Sequence, residues 1–354
     1  MKFLLAGGGT GGHVIPALAV ARELRRRGHE SFFVGTAAGL EAKLVPEAGF
    51  PLEFVEIGGL NRVGLVRMAR TLVRLPVETA RTAARLGRWR PAAVFSMGGY
   101  AAGPVVLAAW TRRIPMALME PNAAPGMTNR WMGRVAGRAL VNFEETARYF
   151  PRGKAELTGV PVRPEFFAIA PKPRGETLTV LITGGSQGSR TLNNAARESW
   201  PLFRRAFFRV LLIHQAGREA YAGIAREFAE SGVEGEVLPF IEDMPGAFAA
   251  ADLVICRSGA SAVAEIAAAG KAAILVPFPF AAYDHQTRNA QVLARAGAAR
   301  LVPDREFTGE KLFQEVTALA GEPGALELTG EAARRFARPG AAARAADILE
   351  ELGG

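Results

Sequence analysis

The sequence predicts an α/β chain built as two doubly wound, Rossmann-like parallel-sheet domains facing across a cleft. Three observations predict it. FLLAGGGTGGH at residues 3–13 is repeated as VLITGGSQGSR at 180–190, an offset of half the 354-residue chain. Short apolar runs alternate with helical patterns through both halves, the order expected of parallel strands joined by crossover helices. At about 150 residues per domain, the length leaves room for two full cores.

The elements follow in order. Each copy of the repeat carries four apolar residues suited to a strand buried on both faces, then glycines, then a helical pattern. In the first half an Arg-rich helix ends near Gly28, and strands are predicted at Phe32 to Gly35, Ala93 to Ser96, Met116 to Met119 and Leu140 to Asn142. In the second half the candidates are Val210 to His214, Glu236 to Pro239, Leu253 to Cys256 and Ala273 to Val276. The joint is predicted at Gly159-Val160-Pro161-Val162-Arg163-Pro164, where two prolines favour an extended connector. Domains are therefore expected over 1–163 and 164–337. Residues 91–111 carry no charge and imitate a membrane span, but Pro104 and the glycines at 98, 99 and 103 divide them into a strand, a turn and a helix.

Composition narrows the class. Hydrophobic residues at 49% and charged residues at 22%, with 40 glycines and 22 prolines, exclude collagen-like, mucin-like and coiled-coil chains. The one cysteine, Cys256, cannot form an intramolecular disulfide, and Met1 to Ala6 runs into glycines without the apolar core of a signal peptide. A reduced, cytoplasmic setting is expected. The net charge is unevenly spread: 23 basic and 12 acidic residues fall in 1–165, leaving 20 and 22 in the remainder. A basic first half attracts nucleic acid, anionic lipid or phosphorylated ligands.

The loops after the strands carry the chemistry. Gly7 to Gly12 holds five glycines in six positions, so backbone N–H groups can approach an oxyanion; close helix packing is the plainer use of the same glycines. Gly7, Gly9 and Gly12 fit G-x-G-x-x-G, but the second strand ends Val34-Gly35-Thr36 without the acid a dinucleotide site needs. His13 stands where loop becomes helix and is either a general base or a structural imidazole. In the second half, Ser186 and Gln187 add a hydroxyl and an amide to a backbone nest suited to a diphosphate. Cys256-Arg257-Ser258-Gly259 leads into a helix whose positive end favours an anion. Glu265, two turns on, could accept both hydroxyls of a ribose diol or be an exposed acid on an alanine-rich helix. The cluster Asp284 to Asn289, with Gln286 at its centre, reads as sugar recognition or as a polar loop. None of the five aspartates forms an Asp-x-Asp pair, so neither metal nor cofactor is expected, and Arg163 or Arg257 with the helix ends would neutralise a leaving diphosphate.

Together GGGTGGH (7–13), MGGYAAGP (97–104), EPNAAPGMTNR (120–130), GVPVR (159–163), GGSQGSR (184–190), FIEDM (240–244), CRSGASAVAEIAAAGK (256–271) and DHQTRNA (284–290) resemble the bacterial peptidoglycan N-acetylglucosaminyltransferases over nearly the whole chain. The resemblance implies a GT-B fold, with lipid acceptor on the first domain, nucleotide sugar mainly on the second, and a final helix around 341–352 returning to the first domain. It implies transfer of N-acetylglucosamine from UDP-N-acetylglucosamine to the 4-hydroxyl of a lipid-linked muramyl-pentapeptide, with inversion. It places Thr10, Gly11, Gly12, Asn122, Arg163, Ser186, Ile241 and Gln286 at the donor, Glu265 on the ribose, the Ile241 backbone at uracil and His13 as base. Pro121 stands where the family usually has glutamine. The same fold could serve a soluble acceptor or a UDP-N-acetylglucosamine epimerase. The basic half alone would suit a nucleic-acid-binding protein, but charge explains none of the paired glycine loops, so no nucleic acid is expected.

Residues 60–90 carry eight arginines against Glu78, interleaved with Leu65, Val66, Met68, Leu72, Val73, Leu75 and Trp89. Such a helix is either solvated or docks on anionic lipid, where each basic residue contributes roughly 1 kcal/mol. With a membrane-borne acceptor, docking at the cytoplasmic face of the cell membrane, in the service of wall synthesis, shape and division, is the expectation.

Overall fold

The computed structural model describes residues 1–9, 11–58, 65–173 and 175–354, and the side chains of these except 65–70 and 72. The chain forms two compact units, 1–162 with 338–354, and 163–337.

In the first unit the strands are β1 (Lys2–Ala6), β2 (Glu30–Gly35), β3 (Leu52–Phe54), β4 (Ala93–Ser96), β5 (Met116–Glu120), β6 (Arg138–Val141) and β7 (Ala155–Leu157). They form one parallel sheet in the order β3-β2-β1-β4-β5-β6-β7. Phe3, Leu4, Leu5 and Ala6 of β1 are fully buried, because helices cover both faces of a parallel sheet. On one face Phe3 and Leu5 meet Val14, Ala17, Val20, Ala21 and Leu24 of the helix Gly11–Arg26. On the other, Leu4 and Val94 meet Val105 and Val106 of the helix Gly99–Thr111. The candidate span thus resolves into β4, a glycine turn and this helix. Among the described residues no helix is long and apolar enough to cross a membrane.

The final helix, Ala341–Gly353, belongs to this unit. Ala345, Ala346, Ile348 and Leu349 are buried in the core of β1 and the helix Gly11–Arg26. Arg27 fastens it by donating to Asp347 (2.6 Å), Glu350 (2.8 Å) and the Ala343 carbonyl (3.1 Å). Arg344 reaches back to Glu156 through two bonds of 2.6 and 3.0 Å.

The second unit contains β8 (Leu178–Thr183), β9 (Val210–Gln215), β10 (Glu234–Leu238), β11 (Leu253–Cys256), β12 (Ala272–Leu275) and β13 (Arg300–Leu301). They are parallel, in the order β10-β9-β8-β11-β12-β13. Val180 and Ile182 pack with Leu192, Trp200 and Phe203 from the helix Arg190–Arg205, which is N-capped by Ser189. The division falls between Val162 and Arg163, one residue before the expected boundary.

In both sheets the chain starts in the middle, winds one way, then resumes on the other side of its first strand. The reversals lie between β1 and β4 and between β8 and β11. Loops leaving the carboxyl ends of such strand pairs form the crevice where doubly wound folds bind ligands.

Candidate active site

In the first unit the reversal point brings together the loops after β1 and β4, with the loop after β5 beside them. Gly9 adopts φ +91°, open to glycine. Its N–H donates to Glu41 Oε2 at 2.8 Å, so this amide serves an internal carboxylate and is not offered to a ligand anion, contrary to the sequence expectation. Gly11 and Gly12 are half-buried in the first turn of the helix Gly11–Arg26. Thr10 lies outside the described residues. The half-buried His13 ring packs beside Gly99, and its Nδ1 donates to the Gly8 carbonyl at 3.2 Å.

After β5, Glu120 is the hub of its loop. One carboxylate oxygen accepts from the N–H of Asn122 (3.0 Å) and its amide Nδ2 (3.1 Å). The other accepts from the Gly126 N–H (3.1 Å) and Asn129 Nδ2 (3.0 Å). Burial pushes the Glu120 carboxyl up to about 7 against the pull of these four donors toward the charged form. Asn122, expected at the donor, thus has its amide nitrogen turned to Glu120.

In the second unit, Ser186 and Gln187 are exposed at the tip of the loop after β8. A Cβ at Gly188 would collide with the Ala216 carbonyl, so the loop can close this tightly only with glycine there. Buried Gln215 joins two loops: its Nε2 donates to the Gly185 carbonyl at 2.6 Å and its Oε1 accepts the Ile241 N–H at 2.9 Å. The Ile241 N–H is therefore engaged within the protein.

Two expected donor contacts point inward. The Ser258 hydroxyl is fully buried and donates to the Gln286 carbonyl at 2.8 Å. Arg257 donates to Asp304 (2.5 Å), to the Val276 and Pro277 carbonyls (3.1 and 3.2 Å) and to Ser189 Oγ (2.8 Å). From the loop after β11 this guanidinium braces the loops after β8, β12 and β13, and its Nη1 is fully committed to these internal acceptors. Gln286 is half-buried and accepts the Phe278 N–H through Oε1 at 2.9 Å. It follows Tyr283 and Asp284, consecutive residues with φ 53° and 54°, a strained turn of the kind found at ligand-contacting loops.

Glu265 is half-buried, not the exposed acid of the plainer reading. Burial pushes its carboxyl up to about 7, opposed by the charge of Arg163. Arg163 is exposed beside the Phe166 ring, 5.1 Å from its centroid. Burial, with a contribution from Glu265, pushes the Cys256 thiol up to about 12, which leaves it protonated and inert. Among the described residues no group of three His, Cys, Asp or Glu could hold a metal ion.

Two family models match these halves: the glycosyltransferase family 28 N-terminal domain over residues 3–141 and the family 28 C-terminal domain over residues 179–352. The chain belongs to glycosyltransferase family 28. It is 63% identical over 351 residues, 99% of this chain and 96% of the other, to the UDP-N-acetylglucosamine–N-acetylmuramyl-(pentapeptide) pyrophosphoryl-undecaprenol N-acetylglucosamine transferase of Solibacter usitatus. The protein of the same name from Myxococcus xanthus is 40% identical over 99% of this chain and 93% of its own. Among solved structures, Acinetobacter baumannii MurG superposes with a TM-score of 0.84 at 33% identity, covering 99% of both chains.

In this family 28 glycosyltransferase the sequence reading missed Glu41 and Gln215, and it quoted Glu120 in a motif without giving it a role. Glu41 and Gln215 are buried polar side chains with partners on loops remote in sequence, whereas the partners of Glu120 lie within the motif EPNAAPGMTNR itself. At Glu120 a further signal was an ionisable residue closing the apolar run Met116-Ala117-Leu118-Met119.

Proposed function

We propose that this chain is an inverting glycosyltransferase that moves N-acetylglucosamine from UDP-N-acetylglucosamine to the 4-hydroxyl of the muramyl sugar in undecaprenyl-pyrophosphoryl-muramyl-pentapeptide. The whole-length 63% identity to the Solibacter usitatus transferase carries the reading. The acceptor hydroxyl attacks the anomeric carbon as the bond to UDP breaks, giving a β-linkage. His13 Nε2 takes the hydroxyl proton. Ser186, Gln187 and the backbone of their loop receive the diphosphate, with Gly11 and Gly12 presenting a helix N-terminus to the donor. Because charge grows on the diphosphate as it leaves, preorganised N–H donors stabilise the transition state more than the ground state. Glu265 accepts the ribose hydroxyls, Gln286 the sugar, and the Ile241 carbonyl the uracil N–H.

The test is an assay with UDP-N-acetylglucosamine and the lipid-linked muramyl-pentapeptide in the presence of EDTA. The expected product is the lipid-linked β-disaccharide with stoichiometric UDP. Epimerised donor sugar formed without acceptor, or no UDP release, would overturn the reading.

The reading includes peripheral docking on anionic lipid at the cytoplasmic face through the helix Leu65–Trp89. Arg62 and the side chains of Leu65, Val66, Arg67, Met68, Arg70 and Leu72 lie outside the described residues. Of the described ones, Val73 is 72% exposed, and Val77, Arg74, Arg81, Arg88 and Arg90 are exposed. The helix is less charged than its own sequence suggested, because Glu56 and Glu53 approach Arg74 (3.6 Å) and Arg85 (3.5 Å), and Glu78 pairs with Arg81 (2.8 Å). Replacing Arg74, Arg81 and Arg88 together by glutamine is expected to weaken sedimentation with phosphatidylglycerol vesicles about tenfold or more, at roughly 1 kcal/mol per charge near the surface. Undiminished association would remove this helix from the lipid face.

A further inference from the structure

We propose that Glu41 is a positioning residue for the catalytic imidazole, acting on His13 through the single peptide group between Gly8 and Gly9. The proposal rests on the reading of His13 as base. Glu41 opens the helix Glu41–Glu47 and is 1% exposed. Its Oε1 accepts from the backbone N–H and the hydroxyl of Thr36, both at 2.8 Å, and its Oε2 from the Gly9 N–H at 2.8 Å. A Cβ at Gly8, Gly35 or Gly39 would collide with this side chain. None of those three glycines has positive φ, so what they supply is room for the carboxylate. The loops after β1 and β2 close on one carboxylate.

The Gly9 N–H and the Gly8 carbonyl belong to the same trans peptide and point in opposite directions. Glu41 holds the first, and the His13 Nδ1 lies 3.2 Å from the second. A carbonyl oxygen only accepts, so Nδ1 carries the hydrogen and Nε2 presents its lone pair. The carboxylate polarises the peptide and makes its oxygen a better acceptor, as in any chain of hydrogen bonds within a low-dielectric site. The arrangement does the work of the carboxylate behind a catalytic histidine in a triad, with one peptide unit inserted. Among the described residues the titratable Tyr100 also faces this loop, its ring edge toward Gly9 from the first turn of the helix Gly99–Thr111.

The test combines Glu41→Gln, His13→Ala and the double variant with nitrogen NMR of the histidine rings. In the unmodified protein at pH 8, His13 is expected as the Nδ1–H tautomer. Glu41→Gln should lower kcat about tenfold or more, as for other groups that orient a ligating or catalytic histidine. It should leave the KM for UDP-N-acetylglucosamine within about twofold, move the acid limb of the kcat profile to lower pH, and add less than about twofold in the His13→Ala background. An Nε2–H tautomer in the unmodified protein overturns the relay and needs no variant to fold. So does Glu41→Gln with unaltered turnover and pH profile, or with the same fold loss whether or not His13 is present. Full turnover in His13→Ala overturns the base reading and the relay with it. Lost turnover in His13→Ala beside an unaffected Glu41→Gln sinks the relay alone.

Discussion

His13→Ala is expected to lower kcat by about a hundred- to ten-thousand-fold, the usual worth of a positioned general base, with the donor KM nearly unchanged. The attacking hydroxyl is a poor nucleophile until its proton begins to leave, and that demand exists only in the transition state. A loss confined to kcat is the signature of an interaction made there and not in the ground state. The proposed base stands in the first turn of the helix Gly11–Arg26, half-buried against Gly99, with Nδ1 3.2 Å from the Gly8 carbonyl. Steady-state kinetics across pH 6 to 9, with both substrates varied, measure the split. Turnover within a few-fold of the unmodified enzyme at every pH would mean that another group, or bulk water, removes the proton.

What the sequence discloses and what it hides follow from where the information resides. β4 and β11 match their predicted limits, Ala93–Ser96 and Leu253–Cys256, because a fully buried parallel strand must be a continuous apolar run. β3, β7 and β13 went unread: they are two or three residues long and only partly buried, so no run of apolar residues marks them. The glycine loops were legible because backbone geometry demands glycine whatever the ligand. The direction of a side chain within a loop was not. Arg257 and Ser258 lie in the segment expected to meet the donor, yet both face inward, Arg257 because four acceptors from three loops converge on it. Glu41 sits 32 residues from Gly9, and Gln215 30 residues from Gly185, so their roles exist only once the sheet has formed.

Glu265→Ala is expected to weaken UDP-N-acetylglucosamine binding by about 30-fold, the roughly 2 kcal/mol of hydrogen bonds to a charged acceptor. A further consequence separates Glu265 from a merely nearby acid. Burial holds its folded-state carboxyl at about 7, above the ordinary value of 4.5, despite the opposing charge of Arg163. Only the ionised form accepts from both ribose hydroxyls, so donor affinity should fall as pH drops through 7, by at most tenfold per unit. The donor's diphosphate carries no proton that exchanges in this range. In the ligand-free protein the sign is opposite. A carboxyl whose pKa is raised on folding contributes stability that is complete below about 4.5 and is lost as pH rises through 7, because the charged form must then be buried. Glu265→Gln should therefore flatten the pH dependence of donor binding and, without ligand, raise the melting temperature at pH 8 more than at pH 5. Calorimetric titration with UDP-N-acetylglucosamine at pH 6, 7 and 8, beside thermal melts of both proteins, reads the two slopes. Donor affinity of Glu265→Gln that tracks the unmodified enzyme at all three pH values would take the carboxylate off the ribose. The same affinity result with the melting shift intact would mark Glu265 as a buried acid of the helix Ala260–Ala269 and nothing more.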